Sequence, residues 1–322
     1  MSTAALRQVP NYETHHCDPP LVATTISIKP RCIDLAEAFS VEPPPLDYVF
    51  GGLLAGDVGA LVSPGGSGKS FLAFNIAVVV ATGLDLTGGA FPVSDVGPVK
   101  YLNAEDRPEA LRQRLHALGE HFSMKERAAI AEKMTIKSLK GQAIWLLGAD
   151  GEPVPAAVRW LAKESAGQRL VILDTLRRFH LGDENSSSHM ARLLGILEAI
   201  ADKAGCSFLY LHHTGKAAAI SGNGDQQGAS RGSSVLVDNA RYQINLTGMT
   251  REEAEALNLD DDDRRKYLRL VTAKTNNSAG AGDYWLVRNK GGILVRADKE
   301  IGRSVRDAER QKKVKGVKNG AI

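Results

Sequence analysis

One short run, Ser63-Pro-Gly-Gly-Ser-Gly-Lys-Ser70, constrains this chain more than any other stretch of it. An apolar segment, Val58-Gly-Ala-Leu-Val62, leads directly into the run, and Phe71-Leu-Ala-Phe-Asn-Ile-Ala77 follows it with helical character. Strand, glycine-rich turn and helix N-terminus in that order make a cradle for phosphate. The turn aims successive backbone N–H groups inward, and the helix dipole adds partial positive charge at the same point. Gly65, Gly66, Ser67 and Gly68 are therefore expected to wrap the phosphates of a nucleotide, with Lys69 reaching the β- and γ-phosphates and Ser70 placing its hydroxyl on Mg²⁺. The strict pattern has glycine where this chain has Ser63, so the match is one residue short.

The rest of the composition narrows the class without deciding it. Hydrophobic residues make up 43% of the 322 and charged residues 24%, ordinary proportions for a globular protein. A net charge of +3 is too mild to point to a polyanionic partner by itself. Cys17, Cys32 and Cys206 are odd in number and fit no C-x-x-C spacing, so they read as reduced thiols and not as a disulfide frame or zinc site. His15-His16-Cys17 has metal-ligand chemistry but lies in an aperiodic stretch, and it is read as incidental. No basic, apolar signal opens the sequence, and the longest apolar stretch, Phe71 to Ala81, is too short to span a bilayer. A cytoplasmic location with no membrane contact is expected.

Residues 1–32 lack periodicity and are expected to form a flexible leader, 33–298 the working domain, and 299–322 a basic, disordered tail. That tail carries eight Lys/Arg against three acidic residues, enough to add nonspecific attraction to DNA. From Val58 onward apolar strands alternate with amphipathic helices. Strands are predicted at Val99–Leu102, Met134–Ser138, Leu170–Leu173 and Cys206–Leu211, and helices at Arg107–Leu118, Met124–Glu132, Val154–Ser165 and His189–Ala204. Such alternation means an α/β fold, a mostly parallel twisted sheet flanked by helices. Beyond Arg241 the pattern turns strand-rich, at Tyr242–Leu246, Tyr267–Thr272, Tyr284–Val287 and Ile293–Val295. These strands are expected to extend the sheet antiparallel at its C-terminal side.

Candidate chemistry collects at the strand ends. Leu170-Val-Ile-Leu-Asp174 ends in an aspartate that, beside the phosphate loop, would hold the Mg²⁺ shell. Thr175 follows it, so a base cannot stand at that position. The strand from Val99 ends in Glu105-Asp106; if it neighbours the phosphate-loop strand, Glu105 can orient a water toward the γ-phosphate, as in RecA-like P-loop ATPases. Asp106 is expected to cap the helix that starts near Arg107. The strand Ser207–Leu211 runs into His212-His213, where a histidine, His213 ahead of His212, can sense the γ-phosphate. Two Gly/Ser-rich loops, Gly182–Ser188 and Thr214–Ser230, leave the same edge; the second, with Lys216 and Arg231 at its base, suits backbone-level contact with single-stranded nucleic acid. Asp260-Asp-Asp-Asp263 reads as a solvated turn. No N-K-x-D or L-S-G-G-Q motif is present, which disfavours GTPase and transporter readings.

Taken together, these residues resemble the RepA-type hexameric replicative helicases of broad-host-range (IncQ-type) plasmids, a RecA-like, DnaB-related family. The likeness runs from about Ile33 to the tail and includes Pro43-Pro-Pro-Leu-Asp-Tyr48, the phosphate loop with its Ser63, Arg114-Leu-His-Ala-Leu-Gly119, Leu173-Asp-Thr-Leu-Arg-Arg-Phe-His180, Leu211-His-His213, Asp225-Gln-Gln227 and Ala229-Ser-Arg-Gly-Ser-Ser-Val-Leu-Val-Asp-Asn239. The resemblance implies Glu105 as catalytic base, Asp174 as metal aspartate, His213 as sensor, Arg241 as arginine finger from the next subunit, and Arg114 as a further active-site arginine. Lys274 is a rival or companion to Arg241. It also implies a homohexamer translocating 5′ to 3′ on single-stranded DNA, with plasmid initiator or primase partners. Two rivals stand beside it: a RecA-type ATPase that remodels or pairs DNA without unwinding, and a nucleotide-dependent replication scaffold.

Overall fold

The computed structural model describes residues 32–213, 236, 239–275, 284–298, 301–302 and 304–305. The expectations for the leader, for the Thr214–Ser230 loop and for most of the tail lie outside these residues. The chain divides into two compact units, Met1–Pro45 and Leu46–Ile322. In the first, α1 (Leu35–Ser40) starts where the Asp34 carboxylate accepts the N–H groups of Ala36 and Glu37.

The second unit opens with a two-stranded ribbon, β1 (Tyr48–Phe50) and β2 (Leu53–Leu54), then β3 (Val58–Ser63) and α2 (Lys69–Thr82). There follow β4 (Val99–Asn103), α3 (Pro108–Gly119), α4 (Met124–Lys133), β5 (Met134–Ser138), α5 (Pro155–Ser165) and β6 (Leu170–Asp174). A 3₁₀ turn at Leu176–Phe179 leads to α6 (Ser187–Ala204) and β7 (Ser207–His213). The last described elements are β8 (Tyr242–Gly248), α7 (Arg251–Ala256), α8 (Asp261–Arg264), β9 (Tyr267–Thr275), β10 (Tyr284–Arg288) and β11 (Leu294–Arg296). Asp260 caps α8 through its side chain, so the aspartate run is the start of a short helix.

Among the described residues nine strands form one sheet in the order β11-β10-β9-β8-β3-β7-β6-β4-β5. Every residue of β3 and β6 is buried, as expected of central parallel strands that read as unbroken apolar runs. Side chains of β3, β6 and β7 alternate between two cores. Leu61, Ile172 and Leu209 face α2 with Phe74 and Tyr101; Val62, Leu173 and Tyr210 face α6 with Met190 and Leu197. Helix α2 is apolar on all sides because sheet and flanking chain cover it nearly completely. A smaller third cluster, with Met249, Trp285 and Val305, packs beneath α7, so buried residues continue past 298.

Two expectations about pairing are corrected. Strand β8 runs parallel to β3, in register Gly59↔Tyr242, and the antiparallel pairing begins only at β9. The chain between His213 and Tyr242 is long enough for the crossover that parallel pairing requires. Strand β4 is not a neighbour of β3, because β7 and β6 lie between them. Strand β6, expected beside the phosphate loop, is likewise one strand removed.

Candidate active site

The phosphate loop grows from the buried C-terminal end of β3. Ser63 is fully buried, and its hydroxyl lies 2.8 Å from Ser67 Oγ, which also lies 2.8 Å from Pro64 O. The residue that departs from the strict motif therefore ties one side of the loop to the other. Gly66 (φ 73°) and Gly68 (φ 99°) sit in the left-handed region, which glycine adopts without steric cost. Gly68 caps α2 without a side-chain hydrogen bond, which leaves first-turn N–H groups of α2 for an anion. From β10, Arg288 donates to Ser67 O at 3.0 Å and lays its guanidinium against Gly68.

Parallel register brings the other strand ends level with this loop. Ser63 stands opposite His213 and Asn103 opposite Asp174. Lys69 Nζ lies 3.2 Å from His213 Nδ1. An ammonium can only donate, so that nitrogen accepts and the ring is neutral there. Burial and then the Lys69 charge hold the His213 pKa below its ordinary value. Burial also lowers Lys69, while the charges of Asp174 and Glu105 oppose the shift.

Asp174 is completely buried, followed by a cis peptide to Thr175. Its Oδ2 accepts from Tyr101 OH at 2.7 Å and from Asn103 Nδ2 at 3.0 Å. Burial pushes the carboxyl up, and hydrogen bonds from Tyr101 and Ser70 pull it back. Its Oδ1 is buried with no partner that meets hydrogen-bond geometry. A hard cation takes oxygen ligands and keeps several waters, so this orphaned oxygen beside the Ser70 hydroxyl fits Mg²⁺. Those two residues would hold the ion, which would neutralise phosphate charge.

Glu105 reaches the centre by a route other than strand adjacency. After Asn103 the chain crosses the end of β6, with Ala104 N donating to Asp174 O at 2.7 Å. Asn103 Oδ1 accepts from the N–H groups of Glu105 (3.0 Å) and Asp106 (2.7 Å), an Asx-type turn. Glu105 Oε1 then accepts from Thr175 Oγ1 at 2.9 Å. Asp106 does not cap α3: Arg107 holds the cap position with no side-chain bond. Instead Asp106 takes both arms of Arg114, at 2.7 and 3.1 Å, and Arg114 also lies 5.4 Å from the Phe71 ring centre. Arg114 thus braces the Asn103 turn from behind.

Arg241 stands at the opposite edge of the sheet. Its N–H donates to Val58 O at the start of β3; burial raises the pKa of nearby Asp57, and the charge of the exposed Arg241 offsets only part of that rise. Lys274 is level with Gln243 on the adjoining β9, so the two cations share that edge. The six residues of β3 separate Arg241 from its own phosphate loop by about 20 Å, while Lys274, level with Ala60 through Gln243, stands about half as far along the strand. The Gly182–Ser188 loop is held by Asp183, whose carboxylate accepts from Asn185 N, and by Ser186, which caps α6. Tyr101, Asn103, Thr175 and Arg288 are site residues that sequence reasoning missed. Only Asn103 carried a local signal, an Asn opening the turn at a strand end.

Residues 25–219, more than half of the chain, match the family model described as "AAA domain". Among similar solved structures, the RadB recombinase is 14% identical over 77% of this chain and 93% of that one, TM-score 0.46. A DnaB-like replicative helicase, solved with its interactions with primase, is 13% identical over 76% of this chain and 58% of that one, TM-score 0.51. At such identity the last likeness is one of fold: a RecA-like P-loop NTPase core, parallel at its centre, with antiparallel strands added toward the C-terminus. Among the described residues no helix is long and apolar enough to cross a membrane.

Proposed function

Since this chain belongs to the AAA domain family and is a P-loop ATPase, we propose that it is a ring-forming, ATP-driven DNA helicase of the RepA type. The observation that carries the reading is the split of its charged groups between the two ends of β3. At one end Lys69, His213, Glu105 and Asp174 share one buried to half-buried network; at the other Arg241 stands too far away to serve it. Phosphoryl transfer leaves negative charge on the equatorial oxygens, which a cation from outside the phosphate loop commonly neutralises. A ring, proposed here as a hexamer, would set Arg241 of one copy against the loop of the next.

In this reading Lys69 and the first-turn amides of α2 bind the phosphates. Glu105, steadied by Thr175, would orient a water and take its proton as the bond from water to the γ-phosphorus forms and that to the β–γ bridging oxygen breaks, leaving ADP. His213 loses or keeps its contact with Lys69 according to γ-phosphate occupancy and passes that state to the chain that follows it. The test combines light scattering, ATP turnover with and without single-stranded DNA, and ATP-dependent displacement of a strand from a forked duplex. A ring with DNA-stimulated turnover and strand displacement is expected. Stimulated turnover without displacement would replace the reading by a DNA-remodelling ATPase, and no turnover at all by a scaffold.

A further inference from the structure

Next to the hydrolytic centre lies a cavity of about 900 Å³ whose rim has chemistry that ATP hydrolysis does not use. Glu105 and His213 line its inner wall; Lys140, Trp145, Arg177 and Arg178 line the outside. Trp145 is 40% exposed between buried Ile144 and Leu146, an unusual place for the largest apolar side chain. Its backbone is nonetheless fixed. Leu146 N donates to Phe179 O at 2.7 Å, and Leu181 N donates to Leu147 O at 2.9 Å. The tryptophan and the Arg177–Arg178 turn are thus laced together into one built wall.

Among the described residues neither Lys140 nor Arg178 has an ion pair, while Arg177 lies 3.8 Å from Glu184 and donates to His180 O. His180 also lines the cavity, is 1% exposed, and has one ring nitrogen, Nε2, with no partner. Its Nδ1 faces Gly182 O at 3.1 Å, and a carbonyl can only accept, so Nδ1 bears the proton. Nε2 is therefore a bare acceptor. Burial, with the Arg177 charge, lowers the ring to about 4, so it is neutral at physiological pH.

We propose that this cleft is a contact site for one strand of nucleic acid, in which Trp145 stacks on a base and Arg178 and Lys140 meet backbone phosphates. The inference rests on the DNA-dependent reading above and names the residues that would carry it. A flat exposed aromatic beside unpaired cations matches single-strand recognition, where stacking tolerates any base and charge follows the backbone. The buried acceptor of His180 suits an exocyclic amino group or a bound water at the base edge. Because Glu105 forms the inner wall, a strand seated here would lie against the group that positions the attacking water.

The experiment uses the full chain and a short oligothymidylate. Of the three tryptophans, Trp285 is buried and Trp160 packs against the core, so stacking should quench chiefly Trp145. Quenching on DNA addition is expected and should vanish in Trp145→Phe. Trp145→Ala should weaken binding roughly 5- to 100-fold and Trp145→Tyr should restore most of it, the range and tolerance of base–aromatic stacking. Arg178→Ala should reduce the slope of log affinity against log salt by about 0.7, one single-strand phosphate contact. Wild-type affinity in Trp145→Ala, an unchanged salt slope in Arg178→Ala, or Trp145 already shielded from iodide in the DNA-free oligomer would each overturn the proposal. Should the unmodified chain bind no oligothymidylate, the DNA reading itself falls; binding that ignores these substitutions removes the cleft alone.

Discussion

The two ends of β3 differ in kind. At Ser63 the chain gathers polar groups into a buried, interlocked set, in which Tyr101 and Asn103 fix one oxygen of Asp174 and leave the other open. At Val58 it exposes Arg241, and no phosphate-binding loop of the same chain is near. Buried polar groups are costly unless matched, so the first end has to be complete within one copy. An exposed arginine carries no such cost and can wait for a partner. On the proposed reading, the contrast assigns binding and water orientation to one copy and charge neutralisation to its neighbour.

The comparison breaks most visibly at its exposed end. Arg241→Ala should assemble and bind ATP yet lose about 10³-fold or more in turnover, the scale of other arginine fingers. Mixed with Lys69→Ala subunits it should regain part of that loss, since some interfaces then pair an intact loop with an intact finger. No recovery at any ratio, despite subunit exchange, would move the cation into the same copy. At the buried end Glu105→Gln should keep ATP affinity and cut single-turnover hydrolysis by about two to four orders of magnitude. Normal hydrolysis in that variant would place the base elsewhere.

Smaller effects sharpen the picture. Tyr101→Phe removes one donor from a buried carboxylate and should cost about 1–3 kcal/mol in urea unfolding, with Asp174 protonating at higher pH. A cost near zero would mean that Asn103 alone holds the oxygen. Far from the site, Glu164 on α5 joins Lys100 of β4 to Lys137 of β5, at 3.1 and 2.7 Å. Burial opposes its charge, but hydrogen bonds from Lys137 and Lys100 hold its pKa below the ordinary value. A lowered carboxylate stabilises the fold above its unfolded pKa of about 4.3 and loses that contribution as pH falls through the folded value. Glu164→Gln should therefore cost only about 0.2–1 kcal/mol near pH 7, and the difference should fade in acid. A difference that persists below the folded pKa would show packing, not charge.

Much of this was legible in the sequence because it is local. The phosphate loop, the apolar runs of β3, β6 and β7 and the helices between them are written in patterns a few residues long. Pairing is not: β8 has the same alternating character whether parallel or antiparallel, and only its crossover decides. Glu105 was found at the end of its strand, but by the wrong geometry, since the turn made by Asn103 carries it across β6. Asp106 looked like a cap because it precedes a helix, and a guanidinium eight residues on, Arg114, claimed it instead. Arg288 and Tyr101 had no signal at all; their importance comes from elements that meet only in the folded sheet.

Arg288 has one more consequence. The β10–β11 hairpin lies at the far margin of the sheet, yet it grips Ser67, and Leu294 O takes a hydrogen bond from Asn75 inside α2. Nucleotide and hairpin are therefore joined through the same loop, and linkage between them is reciprocal. Whatever affinity a pre-held loop lends to the nucleotide, the nucleotide returns as resistance of the hairpin to opening. A strand pair that looks like ornament at the sheet margin should then report occupancy, its amides exchanging more slowly with solvent when the loop is filled.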